Sequence, residues 1–187
     1  MKNAKRKVIA LLMAVMILAA VLPASTQAAC STPGCVKKAA QTAMNETGED
    51  TCFVVKTGKD GKGTGYFMYR QGGKVHCDRS GAVILGKNER IKKGYHYSFY
   101  RNRAAEKKIM TWKVSGVSFR QRYTSYIECA EDADFGIQVH SYVEYKQGGS
   151  WKTCKGASKN TDGLGMCKEF ARYLWSMADP DCPVVFV

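Results

Sequence analysis

Phe135-Gly136-Ile137-Gln138-Val139-His140-Ser141 is a strand-like apolar run that ends at one of only three histidines in the chain. A loop rich in glycine, serine and lysine follows, and leads to Asn160-Thr161-Asp162-Gly163-Leu164-Gly165-Met166-Cys167. From there, apolar residues at 167, 170, 171, 174 and 177 form a single stripe on a predicted helix of about three turns. Asp179-Pro180 stops that helix, because proline disfavours the helical conformation in the residue before it. Val184-Val185-Phe186-Val187 then reads as a terminal strand. A strand histidine, a glycine turn with a cysteine, and a helix starting there are the parts of a Cys/His acyl-transfer site. A helix N-terminus or a nearby imidazole favours the reactive thiolate, and backbone N–H groups of the turn can hold a developing oxyanion. The candidate catalytic residues are therefore His140 and Cys167.

Upstream the pattern is β. Residues 66–69 and 74–77 flank Gln71-Gly72-Gly73, a hairpin signal. Residues 52–55, 82–85, 95–100, 110–114 and 123–127 add short strands, with Tyr95, Tyr97 and Phe99 sharing one face by period-two alternation. Residues 57–65 hold four glycines and read as a flexible turn; the Gly-Lys-Ser/Thr ending of a phosphate-binding loop is missing. Residues 128–134 read as an acidic loop. Short strands with one helix near the C-terminus predict a mostly β, β-rich α+β domain built as an antiparallel sandwich or barrel.

The first 29 residues read as a secretory signal peptide and not as part of the fold. Lys2, Lys5, Arg6 and Lys7 precede an apolar core over residues 8–22, and small residues follow it. That core is shorter than the roughly 20 residues of a membrane-spanning helix. Residues 30–50 read as an N-terminal arm or short helix over 36–44, and residues 51–187 as the domain. All eight cysteines (30, 35, 52, 77, 129, 154, 167 and 182) lie after the leader. An even count in an exported chain predicts a disulfide-stapled fold whose pairing the sequence does not choose. No CxxC pair exists, so neither a zinc site nor any other metal or cofactor is expected. Of the formal charge of +13, the four leader cations account for four, which leaves +9. Outside the cytoplasm such a surface meets anionic cell-wall polymers or lipid headgroups, with no role for nucleic acid. His76 and His96 lack a catalytic context and read as structural or surface residues.

The tail resembles the L,D-transpeptidase (YkuD) catalytic domains, enzymes of bacterial peptidoglycan. Val139-His140-Ser141 is similar to their strand ending in His-Gly or His-Ser, and Lys155-Gly156 to the Leu-Gly loop element. Ala171-Arg172-Tyr173-Leu174-Trp175 is similar to their helix, and residues 184–187 to the closing strand. Two upstream stretches, residues 75–81 and 91–97, fit further family segments, so the resemblance covers roughly 51–187. It implies an L,D-transpeptidase-like β-sandwich with one C-terminal helix, and an exported enzyme that cross-links peptidoglycan stem peptides by Cys/His acyl transfer. The family motif Ser-His-Gly-Cys-Val-Arg, laid on without gaps, falls on residues 160–165, with Gly163 at the nucleophile and Gly165 at the arginine. Cys167 lies four residues on, about 6 Å along a helix axis, and a shifted register would bring it to the nucleophile's place. The gap-free register also matches the helix and the last strand and is preferred. It implies an inactive member that binds peptidoglycan or scaffolds other proteins. With the resemblance set aside, the residues read as a secreted disulfide-rich β domain that binds anionic polymers.

Overall fold

The computed structural model describes residues 31–86, 91, 95–100, 107–154 and 163–187, with the backbone alone at 107 and 133–135. The leader, Cys30, Lys155-Gly156 and Asn160-Thr161-Asp162 lie outside the described residues. The elements are α1 (Gly34–Thr47), β1 (Thr51–Thr57), β2 (Lys62–Gln71), β3 (Lys74–Leu85), β4 (Tyr97–Phe99), β5 (Lys107–Val114), β6 (Val117–Cys129) and β7 (Asp132–Ser141). After them come β8 (Glu144–Gln147), β9 (Ser150–Thr153), β10 (Leu164–Met166), α2 (Lys168–Met177) and β11 (Pro183–Phe186).

The chain is mostly β, as predicted, and of the sandwich or barrel read from the strand pattern it is barrel-like: the sheet closes on itself, where the resemblance implied a sandwich. The pairing runs β4-β11-β1-β2-β3-β10-β7-β6, and β6 pairs back onto β4 through Tyr97↔Cys129 and Phe99↔Ile127. Two contacts in this ring are parallel, β1 with β11 and β10 with β7. The N-terminal half of β6 extends beyond the ring and carries β5 on one edge and the β8–β9 hairpin on the other.

Two cores explain why β1 is apolar without alternation. Phe53 and Val55 face the inside of the ring, where Phe67, Val83, Ile127, Ile137, Leu164 and Met166 meet Phe170, Ala171 and Leu174 of α2. Cys52 and Val54 face the other way, onto Val36, Ala40, Ala43 and Met44 of α1. A strand buried on both faces must be continuously apolar. Room for α2 is made by Gly81, where a Cβ would stand 2.7 Å from the Phe170 ring. The predicted arm is thus a full helix, closed by Gly48 in the left-handed conformation (φ 80) with its N–H on Met44 O. No described helix is long and apolar enough to cross a membrane.

Gly72 and Gly73, at φ +57 and +73, make the two-residue turn predicted between β2 and β3. Elsewhere the loops are shorter than expected. Residues 62–65 already belong to β2, and the acidic loop at 128–134 is a tight turn between β6 and β7. The loop after His140 contains the β8–β9 hairpin, and residues 164–166 are strand β10 and not a turn.

The disulfide framework is corrected: no disulfide joins any described cysteines. The register gives a reason for one adjacent pair. Phe53 pairs with Val184, so Cys52 on β1 and Cys182, one residue before β11, lie close together with side chains on opposite faces, one in each core. Burial raises the Cys52 thiol, with the nearby Cys182 adding to the shift, and burial pushes Cys182 up to about 12. These cysteines act as small apolar side chains.

Candidate functional site

Strands β7 and β10 run side by side, with Val139 opposite Leu164, His140 opposite Gly165 and Ser141 opposite Met166. Val139, Leu164 and Met166 point into the ring core. By alternation Gln138, His140 and Tyr142 line the opposite face of β7, beside Gly163, Gly165 and Cys167. His140 is only 2% exposed. Its Nδ1–H donates to Ser141 O at 2.7 Å, which in the neutral ring leaves the lone pair on Nε2. Ser141 Oγ in turn accepts from Arg122 N at 2.9 Å.

Nε2 faces Gly163. A Cβ at that position would lie 2.9 Å from His140 Nε2 and 2.5 Å from Gln138 O, and Gly163 has φ +99. The position opposite the imidazole is therefore filled by glycine, and its backbone conformation and surroundings both resist a side chain. Gly163 O accepts from Gly86 N at 2.8 Å, which ties the turn to the end of β3. Gln121 Nε2 donates to Gln138 Oε1 at 3.0 Å and to Thr124 Oγ1 at 3.2 Å, holding the flank of the site from β6.

Cys167 is exposed and stands immediately before α2. Residues 164–166 are extended, so the four residues from Gly163 to Cys167 span about 13 Å and not one helical turn. Tyr142 packs beside this stretch. Its N–H donates to Met166 O at 2.7 Å, and its ring lies 3.4 Å from where a Cβ on Gly165 would be. Burial raises the Tyr142 phenol, and the Cys167 thiol adds to that shift. The strands thus bring His140 to Gly163, and Cys167 to Tyr142.

The other histidines are elsewhere. His76 is exposed and stacks on Tyr69. His96 Nδ1 meets Glu131 Oε1 at 2.5 Å, which raises the imidazole and lowers Glu131 to about 2. Among the described residues no group of His, Cys, Asp and Glu is arranged to hold a metal ion. Sequence reasoning missed Gln138 and Tyr142, although both lie two residues from His140, the spacing that puts strand side chains on one face.

No protein-family model matches the chain, and no curated protein matches it. Solved structures do. The chain is similar to a fused Zn-dependent amidase/peptidase/peptidoglycan-binding domain-containing protein from Clostridium acetobutylicum, at TM-score 0.50 and 9% identity, over 82% of this chain and 60% of that one. Mycobacterium tuberculosis L,D-transpeptidase 1 aligns at TM-score 0.43 and 12% identity, over 73% and 61%. The Ldtfm-avibactam carbamoyl enzyme aligns at 0.41 and 16%, over 74% and 49%. The chain spans about six tenths of the length of the first of these, and the likeness is one of fold.

Proposed function

We propose that this protein is an exported cell-wall protein of L,D-transpeptidase-like fold that binds peptidoglycan and no longer performs acyl transfer at the family's usual nucleophile position. Residues 1–29 serve as the export signal and 51–187 as the domain, with α1 packed onto it. The reading is carried by Gly163: the residue that faces His140 Nε2 is a glycine at φ +99 with 2.5 Å between its would-be Cβ and Gln138 O. A glycine at that position offers His140 no thiol or hydroxyl to deprotonate, so it cannot itself carry an acyl-enzyme. The sequence resemblance and the likeness to a protein described as containing a peptidoglycan-binding domain support the ligand class. Gln138, the partly exposed member of the Gln121–Gln138 pair, would then contact stem-peptide polar groups.

Two measurements on the purified protein test this. Sedimentation with purified peptidoglycan should bring the protein down, and intact-mass analysis after incubation with a carbapenem should show no adduct. An adduct on Cys167 would restore the active-enzyme reading, with Cys167 as nucleophile and His140 as base. Failure to sediment overturns the binding function.

A further inference from the structure

Exposed aliphatic side chains concentrate on the hairpin of β5 and β6. Ile109, Val114 and Val117 are 50%, 54% and 38% exposed. Ser115 (φ 48) and Gly116 (φ 80) form a tight two-residue turn, so the tip is held by β-pairing on both sides. Val114 pairs with Val117 and Trp112 with Phe119, and alternation puts all four on one face. The Trp112 and Phe119 rings are stacked, with centroids 5.9 Å apart and planes 16° from parallel. An apolar strip thus runs from the aromatic pair out to the tip.

The charge around this strip has one sign. Residues 107–124 hold three lysines and two arginines and no carboxylate. Arg120 and Arg122 both reach Glu144, at 2.5 and 3.3 Å, whereas Lys108, on the face of the strip, and Lys113, on the other face next to its tip, are exposed. A soluble anionic polymer would satisfy the lysines but offers no apolar phase for valines at a turn. An anionic bilayer satisfies both, because lysine heads meet lipid phosphates while aromatic rings favour the headgroup boundary. The dimensions agree: the two residues between tip and aromatic pair span about 7 Å, within the roughly 5–10 Å depth of the interface.

We propose that the β5–β6 hairpin is a membrane-surface anchor, which inserts Val114 and Val117 into an anionic lipid bilayer and sets Trp112 and Phe119 at headgroup level. It stands apart from the peptidoglycan-binding function, since it uses neither His140 nor Gly163. The test uses the chain from Ser31, which contains every described element and excludes the apolar leader. Flotation with phosphatidylcholine vesicles, with and without phosphatidylglycerol, should show binding only with the anionic lipid. Val114→Asp with Val117→Asp should reduce it at least about tenfold, and Lys108→Ala and Lys113→Ala about fivefold each. These positions are exposed, so thermal melts of the variants should match the parent. Absence of vesicle binding, or binding that the valine substitutions leave intact, overturns the proposal. Peptidoglycan sedimentation unchanged in the valine variants separates this anchor from wall binding, and its loss alongside vesicle binding would assign the hairpin to the wall and overturn the anchor.

Discussion

Replacing Gly163 by cysteine would place a thiol at the position that faces His140, and the structure makes that substitution costly. Two costs add. A non-glycine residue at φ +99 carries strain of order 1–3 kcal/mol. A Cβ 2.5 Å from Gln138 O and 2.9 Å from His140 Nε2 forces a backbone or ring shift, typically about 1–3 kcal/mol more. The sum, about 2–6 kcal/mol, is a large share of the ~5–15 kcal/mol that holds a domain folded. Gly165→Ala supplies the control two residues away. Its φ is ordinary and its Cβ would meet the Tyr142 ring at 3.4 Å, a normal contact, so it should cost under about 1 kcal/mol. Urea unfolding of parent, Gly163→Cys, Gly163→Ala and Gly165→Ala measures all three differences. Both Gly163 variants should lose similar stability, since the shared Cβ is the cause. If Gly163→Cys is as stable as the parent and forms a carbapenem adduct, the position is an intact nucleophile slot and the reasoning is refuted.

Three further outcomes follow from the packing and the ion pair. Phe170→Ala should cost about 3–5 kcal/mol by urea unfolding. Gly81→Ala should cost about 1–3 kcal/mol through collision with the Phe170 ring, and the double variant should cost less than the sum of the two. His96 is raised above 6.5 by Glu131, so its contribution is present below 6.5 and lost as pH rises through the raised value. Glu131 is lowered from 4.5 to about 2, so its contribution is present above 4.5 and lost as pH falls towards 2. Glu131→Gln should therefore lower the melting temperature more at about pH 5.5 than at about pH 8.5, and equal losses at both would refute the pairing. In native buffer iodoacetamide should label Cys35 and Cys167, which are exposed, long before Cys52 and Cys182, which are buried with raised pKa values. Mass mapping of the labelled peptides checks the order.

What the sequence could reveal depended on how local each determinant was. The β2–β3 hairpin and helix α2 were legible because a Gly-Gly turn and an i, i+3, i+4 stripe act within a few residues. The strand pattern left sandwich and barrel open, because closure depends on Tyr97 meeting both Cys129 and Val184, pairings across more than thirty and eighty residues that no local pattern encodes. Strand β10 was hidden for a related reason. Leu164-Gly165-Met166 has a glycine at its centre and only three residues, so its extended form comes from β3 and β7 on either side and not from propensity. The site inherits that dependence. His140 could be named from its strand, but its partner is decided by the β7–β10 register, and one step of slip would turn the β10 side chains to the other face. The gap-free motif comparison laid the nucleophile position on Gly163, and in the structure a Cβ on Gly163 would lie 2.9 Å from His140 Nε2. Cysteine counting failed because it treats sequence parity as geometry. Cys52 and Cys182 lie close together and are still not joined, since a one-residue offset in register sends them into different cores. The same alternation that separates those thiols puts His140 on the face shared by Gly163 and Gly165, so register decides both which core each thiol enters and which residues meet the imidazole.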